Sequence, residues 1–169
     1  MRTVARTLVL GAGLAVWCAG SGVAQERSVD DMLRELNQVL QDNAYNDHDG
    51  KHTVSRVALR RGGTLVISVV KTDQVGEVSN IYATDIHTIN LDRIQEHRRG
   101  THTALMIGCQ GDVAYTLRNV QRSGGVTEWD LPARGSVPLE FKPGDALARD
   151  ILQSVTRLIV EARKDPRYQ

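Results

Sequence analysis

Three short stretches carry the residue types that could do chemistry. The first is Asn43 to Lys51, Asn-Ala-Tyr-Asn-Asp-His-Asp-Gly-Lys, followed at once by His52. Asp47, His48, Asp49 and His52 together offer carboxylate and imidazole donors of the kind zinc takes, although no established metal-site spacing joins them. Asp47, Asp49 and Gly50 also fit the third, fifth and sixth positions of a calcium loop. Tyr45 and Arg56 then stand at the first and twelfth positions, where carboxylates are required. Asn, Asp and Gly favour turns for backbone reasons alone, so a solvated turn accounts for the same residues. The second stretch, His97-Arg98-Arg99-Gly100-Thr101-His102, is the one local basic cluster. Arg98 and Arg99 offer forked donors for an anionic group such as a lipid phosphate or a polyanion. The bland alternative is a solvated connection, and only the fold decides whether Arg93 and Arg118 extend the cluster. The third is Cys109, in phase with Leu105 and Ile107, which favours a buried thiol over a reactive one.

The remaining catalytic signatures are missing. There is no Gly-x-Ser-x-Gly elbow, no His-Glu-x-x-His and no glycine-rich phosphate loop, so no catalytic residue and no cofactor is expected. His87, beside Asp85, reads as a hydrogen-bonded sheet residue.

Residues 1–24 read as a signal peptide. Arg2 and Arg6 precede an apolar run from Leu8 to Trp17 that is short for a membrane span, and Gly22-Val23-Ala24 supplies small residues for cleavage near Ala24. Trp17 before Cys18 argues against lipid attachment at that cysteine. The expected compartment is periplasmic or extracellular, in a bacterium, with no transmembrane span after cleavage. Cleavage would leave 19 basic against 20 acidic residues, a net charge of −1. Near-neutrality removes the electrostatic case for nucleic acid. It would also leave Cys109 as the sole cysteine, so a disulfide would have to join two chains in a dimer. The expected unit is one globular domain, 25–169, of a size suited to a single core.

The elements that would position these groups show in the periodicity. Leu147, Ile151, Val155, Leu158 and Ala162 step by four, four, three and four, with Leu152 and Ile159 widening the stripe, which predicts a helix from about Gly144 to Lys164. Asp145 is placed to cap it, Arg163 and Lys164 suit its far end, and Pro166 lies beyond. A second amphipathic helix runs from Ser28 to Asp42, with Ser28 and Asp31 resembling a capping box. Between the helices the period is that of strands. Val57 and Leu59, then Leu65, Ile67 and Val69, flank a Gly62-Gly63 turn. An extended stretch from about Asn80 to Leu91 carries a bend or bulge near Asp85. Arg93 to His102 reads as an exposed connection. Further strands are expected over Thr103–Cys109, Val113–Leu117, Val126–Leu131 and Val137–Phe141, with a loop from Pro132 to Gly135, giving about seven.

Two hairpin-rich groups of strands followed by one amphipathic helix resemble, in order of elements, the pleckstrin-homology-like domains. The resemblance spans about His52 to Lys164. It implies an α+β fold, a small antiparallel barrel or sandwich over 52–169 closed by the C-terminal helix, with 25–51 as an added helix and polar loop. Lipocalin-like and helix-grip folds bury the helix in the same way. The chain departs from the lipid-binding members: its last helix carries no Trp, and the Arg60-Arg61-Gly62-Gly63-Thr64 turn is short and weakly basic. An inositol-phosphate site is therefore not carried over. The functional expectation is a non-enzymatic exported domain that binds a partner protein through its loops or a sheet edge. The alternatives are a carrier holding a small apolar ligand among Ile107, Phe141, Leu147 and Ile151, and a metal-dependent activity at His48 and His52.

Overall fold

The computed structural model describes residues 27–110, 114–122 and 125–169, and within 114–134 only the strand pairing is considered. The expected leader, Cys18, the Gly111-Asp112 turn, Val113 and Gly124 lie outside the described residues. The order of elements is α1 (Val29–Asp42), β1 (Tyr45–Asn46), β2 (His52–Arg60), β3 (Thr64–Thr72), β4 (Gly76–Asp85), a 3-10 turn (Ile86–Thr88), β5 (Ile89–Arg99), β6 (His102–Cys109), β7 (Ala114–Arg122), β8 (Gly125–Arg134), β9 (Ser136–Phe141), α2 (Asp145–Lys164) and a final 3-10 turn (Pro166–Tyr168). The strands form two antiparallel sheets, one ordered β1-β2-β3-β4-β7-β8 and one ordered β5-β6-β9. The architecture is α+β as expected. Among the described residues it is a pair of open sheets, not a closed barrel.

Both helices form for the reasons their sequences suggest. At α1 the Ser28 hydroxyl accepts from the Asp31 amide at 3.1 Å and donates to the Asp31 carboxylate at 2.7 Å, so the first turn is closed from both sides. Val29, Met32, Leu36 and Leu40 are its buried stripe. At α2 the N-cap is Gly144, not Asp145, and no side chain caps the first turn. Asp145 is free to reach another strand instead. Ala148, Ile151, Val155, Leu158, Ile159 and Ala162 are buried in one core with Val57, Leu65, Ile67 and Tyr82 of the large sheet and Leu105, Ile107, Val137, Leu139 and Phe141 of the small one. Beyond that face, the Arg163 guanidinium donates to the carbonyls of Ile86 at 2.6 Å and Ile89 at 2.5 Å. It thereby satisfies backbone groups where the chain passes from one sheet to the other.

The glycine turn between β2 and β3 needs its glycines. Gly63 has φ +76°, and a Cβ there would meet the Tyr168 carbonyl oxygen at 2.6 Å, so the C-terminal turn seats directly on it.

Three strand expectations require correction. The stretch from Arg93 onward is not a connection but the continuation of β5, paired in register with β6 from Ile94↔Ile107 to Arg99↔His102. Its charged residues hid it, because an edge strand needs no apolar face to keep its pairing. The bend expected at Asp85 is present but ends the strand: β4 stops there and a 3-10 turn follows, capped by the Asp85 carboxylate accepting from the His87 amide at 2.8 Å. The irregularity lies later, between Ile89 and Ile94. The expected Pro132–Gly135 loop is largely strand, since β8 continues to Arg134, and as an edge strand it can spare a proline's missing donor.

The two sheets are stitched where β9 passes β2. The buried Ser55 hydroxyl donates to the Glu140 carbonyl at 2.7 Å and accepts from the Glu140 amide at 3.0 Å, acting as a strand partner in a single side chain. Ser55→Ala removes both bonds and leaves a backbone donor and acceptor without partners. The expected loss is about 1–3 kcal/mol of unfolding free energy, read from urea denaturation at unchanged m-value.

Candidate functional site

Chemistry-bearing side chains gather on the outer face of the small sheet, the face turned away from the core. Alternation along β6 sends Leu105, Ile107 and Cys109 inward and His102, Ala104, Met106 and Gly108 outward. On β9 it sends Val137, Leu139 and Phe141 inward, and Ser136, Pro138 and Glu140 outward. The register then places Gln95 beside Met106, His97 beside Ala104 and Arg99 beside His102. Arg93, Gln95, His97 and Arg99 thus form one row of polar side chains along edge strand β5. A groove of about 330 Å³ lies against this row, lined by Arg93, Gln95, His97, Met106, Gly108, Gly135 and Ser136. Gly108 is required there: a Cβ would come within 2.9 Å of Arg93 Cβ and 3.0 Å of its carbonyl oxygen. The irregular part of β5 can therefore lie close over β6.

The basic residues of β5 divide between the two faces. Arg98 points the other way, donating to Glu96 at 2.7 Å and pairing with Asp145 of α2 at 2.9 Å. The Glu96 and Asp145 carboxylates hold its guanidinium protonated above its ordinary range. Arg93, His97 and Arg99 have no acidic partner among the described residues. The basic cluster expected from sequence is thus split by the strand's alternation. Arg99 joins Arg93 and His97 on the groove side, and Arg98 becomes a tie to α2. Arg118 lies in β7 of the other sheet and is no part of this row.

At the end of the row the Asn43–Lys51 loop folds over the sheet. Tyr45 stacks on His102 with ring centroids 4.8 Å apart and planes at 18°. Its hydroxyl donates to Glu140 at 2.6 Å. Burial, then the Glu140 carboxylate, push the Tyr45 phenol well above its usual range. His102 is 8% exposed, and its Nε2 is buried without a hydrogen-bond partner among the described residues. Burial lowers its pKa; the Glu140 carboxylate opposes this, and Arg99, Lys71 and His48 reinforce it.

The loop's own carboxylate is structural. Asp47 is buried, accepts from the amides of Asp49 and Lys51 at 3.0 Å each, and pairs with Lys71 at 3.1 Å. His48 and Asp49 stay exposed on the loop and His52 on β2. No group of three or more His, Cys, Asp or Glu among the described residues is arranged to hold a metal ion. Of the four residues read as zinc or calcium donors, Asp47 is committed to the turn and to Lys71.

The apolar ligand site expected under the C-terminal helix is filled. Ile107, Phe141 and Ile151 are 0% exposed. A void large enough for a ligand would leave accessible surface on its lining, and these side chains show none. Leu147 is half-buried at the start of α2. The free thiol of Cys109 is buried beside the Thr84 hydroxyl at 3.3 Å, so a disulfide to a second chain is out of reach while the strand is folded. No helix among the described residues is long and apolar enough to cross a membrane.

Sequence reasoning missed Tyr45, Lys71 and Glu140 as partners, and Gln95 and Met106 as groove residues. Two signals were available: a single aromatic amid polar loop residues, and a carboxylate out of phase with Val137, Leu139 and Phe141. No family model, curated protein or solved structure matches the chain.

Burial raises the Asp47 carboxyl, but the Lys71 ammonium and the amides of Lys51 and Asp49 outweigh it and leave it below its usual range. A depressed carboxylate contributes stability that is present above its unfolded pKa and lost as pH falls through the folded value. Asp47→Asn is expected to cost about 1–3 kcal/mol at neutral pH. The gap between the two proteins should close below about pH 3.9, as chemical denaturation across pH would show.

Proposed function

We propose that the protein is an exported, non-enzymatic binding module that takes an extended acidic segment of a partner along β5. The observation that carries this is the row of Arg93, His97 and Arg99, without acidic partners among the described residues, beside a groove on an exposed strand at the sheet's edge. Residues in a strand advance about 3.3 Å each, so Arg93 and Arg99 stand roughly 20 Å apart. One phosphate or carboxylate cannot meet all three groups; an extended chain with acids at alternate positions can. Every residue from Gln95 to Arg99 is exposed, and β5 pairs on one side only. A peptide strand would satisfy backbone groups there as well as charges. Self-association by the same edge is disfavoured, because antiparallel pairing of two copies about Glu96 sets Arg93 against Arg99. Among the described residues no Phe, Tyr or Trp lines the groove, which offers bases no aromatic stacking surface there. Two antiparallel sheets with a C-terminal helix also support the pleckstrin-homology-like reading of the fold.

The test is fluorescence anisotropy with a labelled peptide of about eight residues alternating Glu and Thr, its length matched to the regular part of the strand. Replacing Arg93 and Arg99 together by Ala is expected to weaken binding roughly tenfold or more, with affinity falling as salt rises. Arg98→Ala, on the opposite face, is the control. Equal weakening by the control, or no binding by the wild type, would sink the proposal.

A further inference from the structure

The buried His102 ring is poorly equipped to carry a charge. From the loop come the Tyr45 ring, stacked on it, and His48. From β3 comes Lys71, from β5 Arg99 and from β9 Glu140. Its Nδ1 lies 3.3 Å from the Thr101 hydroxyl and its Nε2 has no partner. A neutral imidazole needs one donor and one acceptor contact at most, whereas the imidazolium has two donors and requires an acceptor for each. The Glu140 carboxylate is a charge that favours the imidazolium, and it already accepts the Tyr45 hydroxyl.

We infer that Tyr45, His102 and Glu140 form a proton-operated latch, in which protonation of His102 exchanges the Tyr45–Glu140 hydrogen bond for a His102–Glu140 ion pair and frees the Asn43–Lys51 loop from the small sheet. The proton comes from solvent and no bond other than hydrogen bonds changes. Because burial and the surrounding cations depress the histidine's pKa, the closed latch is the neutral-pH state. Its stabilising contribution is present above the unfolded histidine value of about 6.5 and lost as pH falls below it. Glu140 itself stays in place, since Ser55 holds both its backbone groups. The consequence for binding rests on the acidic-segment reading above: opening adds one positive charge beside Arg99, at the end of the row.

Amide exchange reports the latch without any ligand. The Lys142 amide, one residue past β9, donates to the Asn43 carbonyl at 2.9 Å and so joins the loop to the end of the small sheet. After correction for intrinsic rates, protection of the Lys142 amide is expected to fall about tenfold or more between about pH 7.5 and 5.5 in the wild type. In His102→Phe, which keeps a stacked ring and cannot titrate, protection should not change with pH. An acid-induced loss as large in that variant overturns the latch. A second measurement covers a variant that fails to hold the loop at any pH. The His102 ring titration followed by NMR in the wild type should share its midpoint with the loop opening. Opening while the ring stays neutral, or titration of the ring with the loop still protected, overturns it equally. For the coupling, a His97→Gln protein removes the row's own imidazole. Binding of the Glu-Thr peptide to it should strengthen on acidification, and should lose that dependence when His102→Phe is added. A flat response with an opening loop overturns the coupling. Absence of peptide binding at every pH overturns the acidic-segment reading and leaves the exchange result to decide the latch.

Discussion

The apolar face of α2 is the surface on which both sheets depend. Ile151, Val155, Leu158, Ile159 and Ala162 are each at most 3% exposed, and they share one core with side chains from β2, β3, β4, β6, β9 and α1. Among the described residues neither sheet closes on itself, so each has an apolar face that must be covered, and α2 supplies cover to both. The end of the same helix then satisfies the backbone at the crossing between the sheets through Arg163, which ties the packing of the core to the path of the chain.

Once the inner faces are committed to α2, the outer face of the small sheet is what remains for function. Strand alternation does this without any special device: each residue that sends Leu105, Ile107, Leu139 or Phe141 inward is followed by one that faces out. β9 shows the division most clearly. Phe141 and Leu139 are buried in the core, while Glu140 between them accepts from Tyr45 on the other side. Its backbone is held by Ser55 from β2. One strand therefore anchors the core, the seam between sheets and the loop that lies over the outer face. The groove beyond that loop exists because Gly108 has no side chain under the irregular part of β5.

The elements with strong periodicity were legible: α1 with its Ser28 cap, α2, the Gly62-Gly63 hairpin and the alternating β6 and β9. The failures share a cause. Arg93 to Arg99 looked like a connection because an edge strand with one face solvated and many charges has no apolar rhythm to find. The strand's pairing supplies the order, and pairing is not written locally. The same holds for the basic cluster. Its residues are adjacent in sequence, yet period-two geometry sends Arg98 to Asp145 and Arg99 to the face that carries the groove.

The sequence alone thus determined the inventory: two amphipathic helices, a β-rich middle, a single thiol in phase with the core, and no motif for catalysis. Those conclusions rest on local pattern, where burial and backbone conformation repeat over a few residues. Tertiary structure decided which polar groups meet. Tyr45, Lys71, His102 and Glu140 lie far apart along the chain and come together only because a loop crosses one sheet while its flanking strand belongs to the other. Contacts of that kind depend on the placement of whole strands, and the residues that make them carry no mark of it in their own neighbourhood.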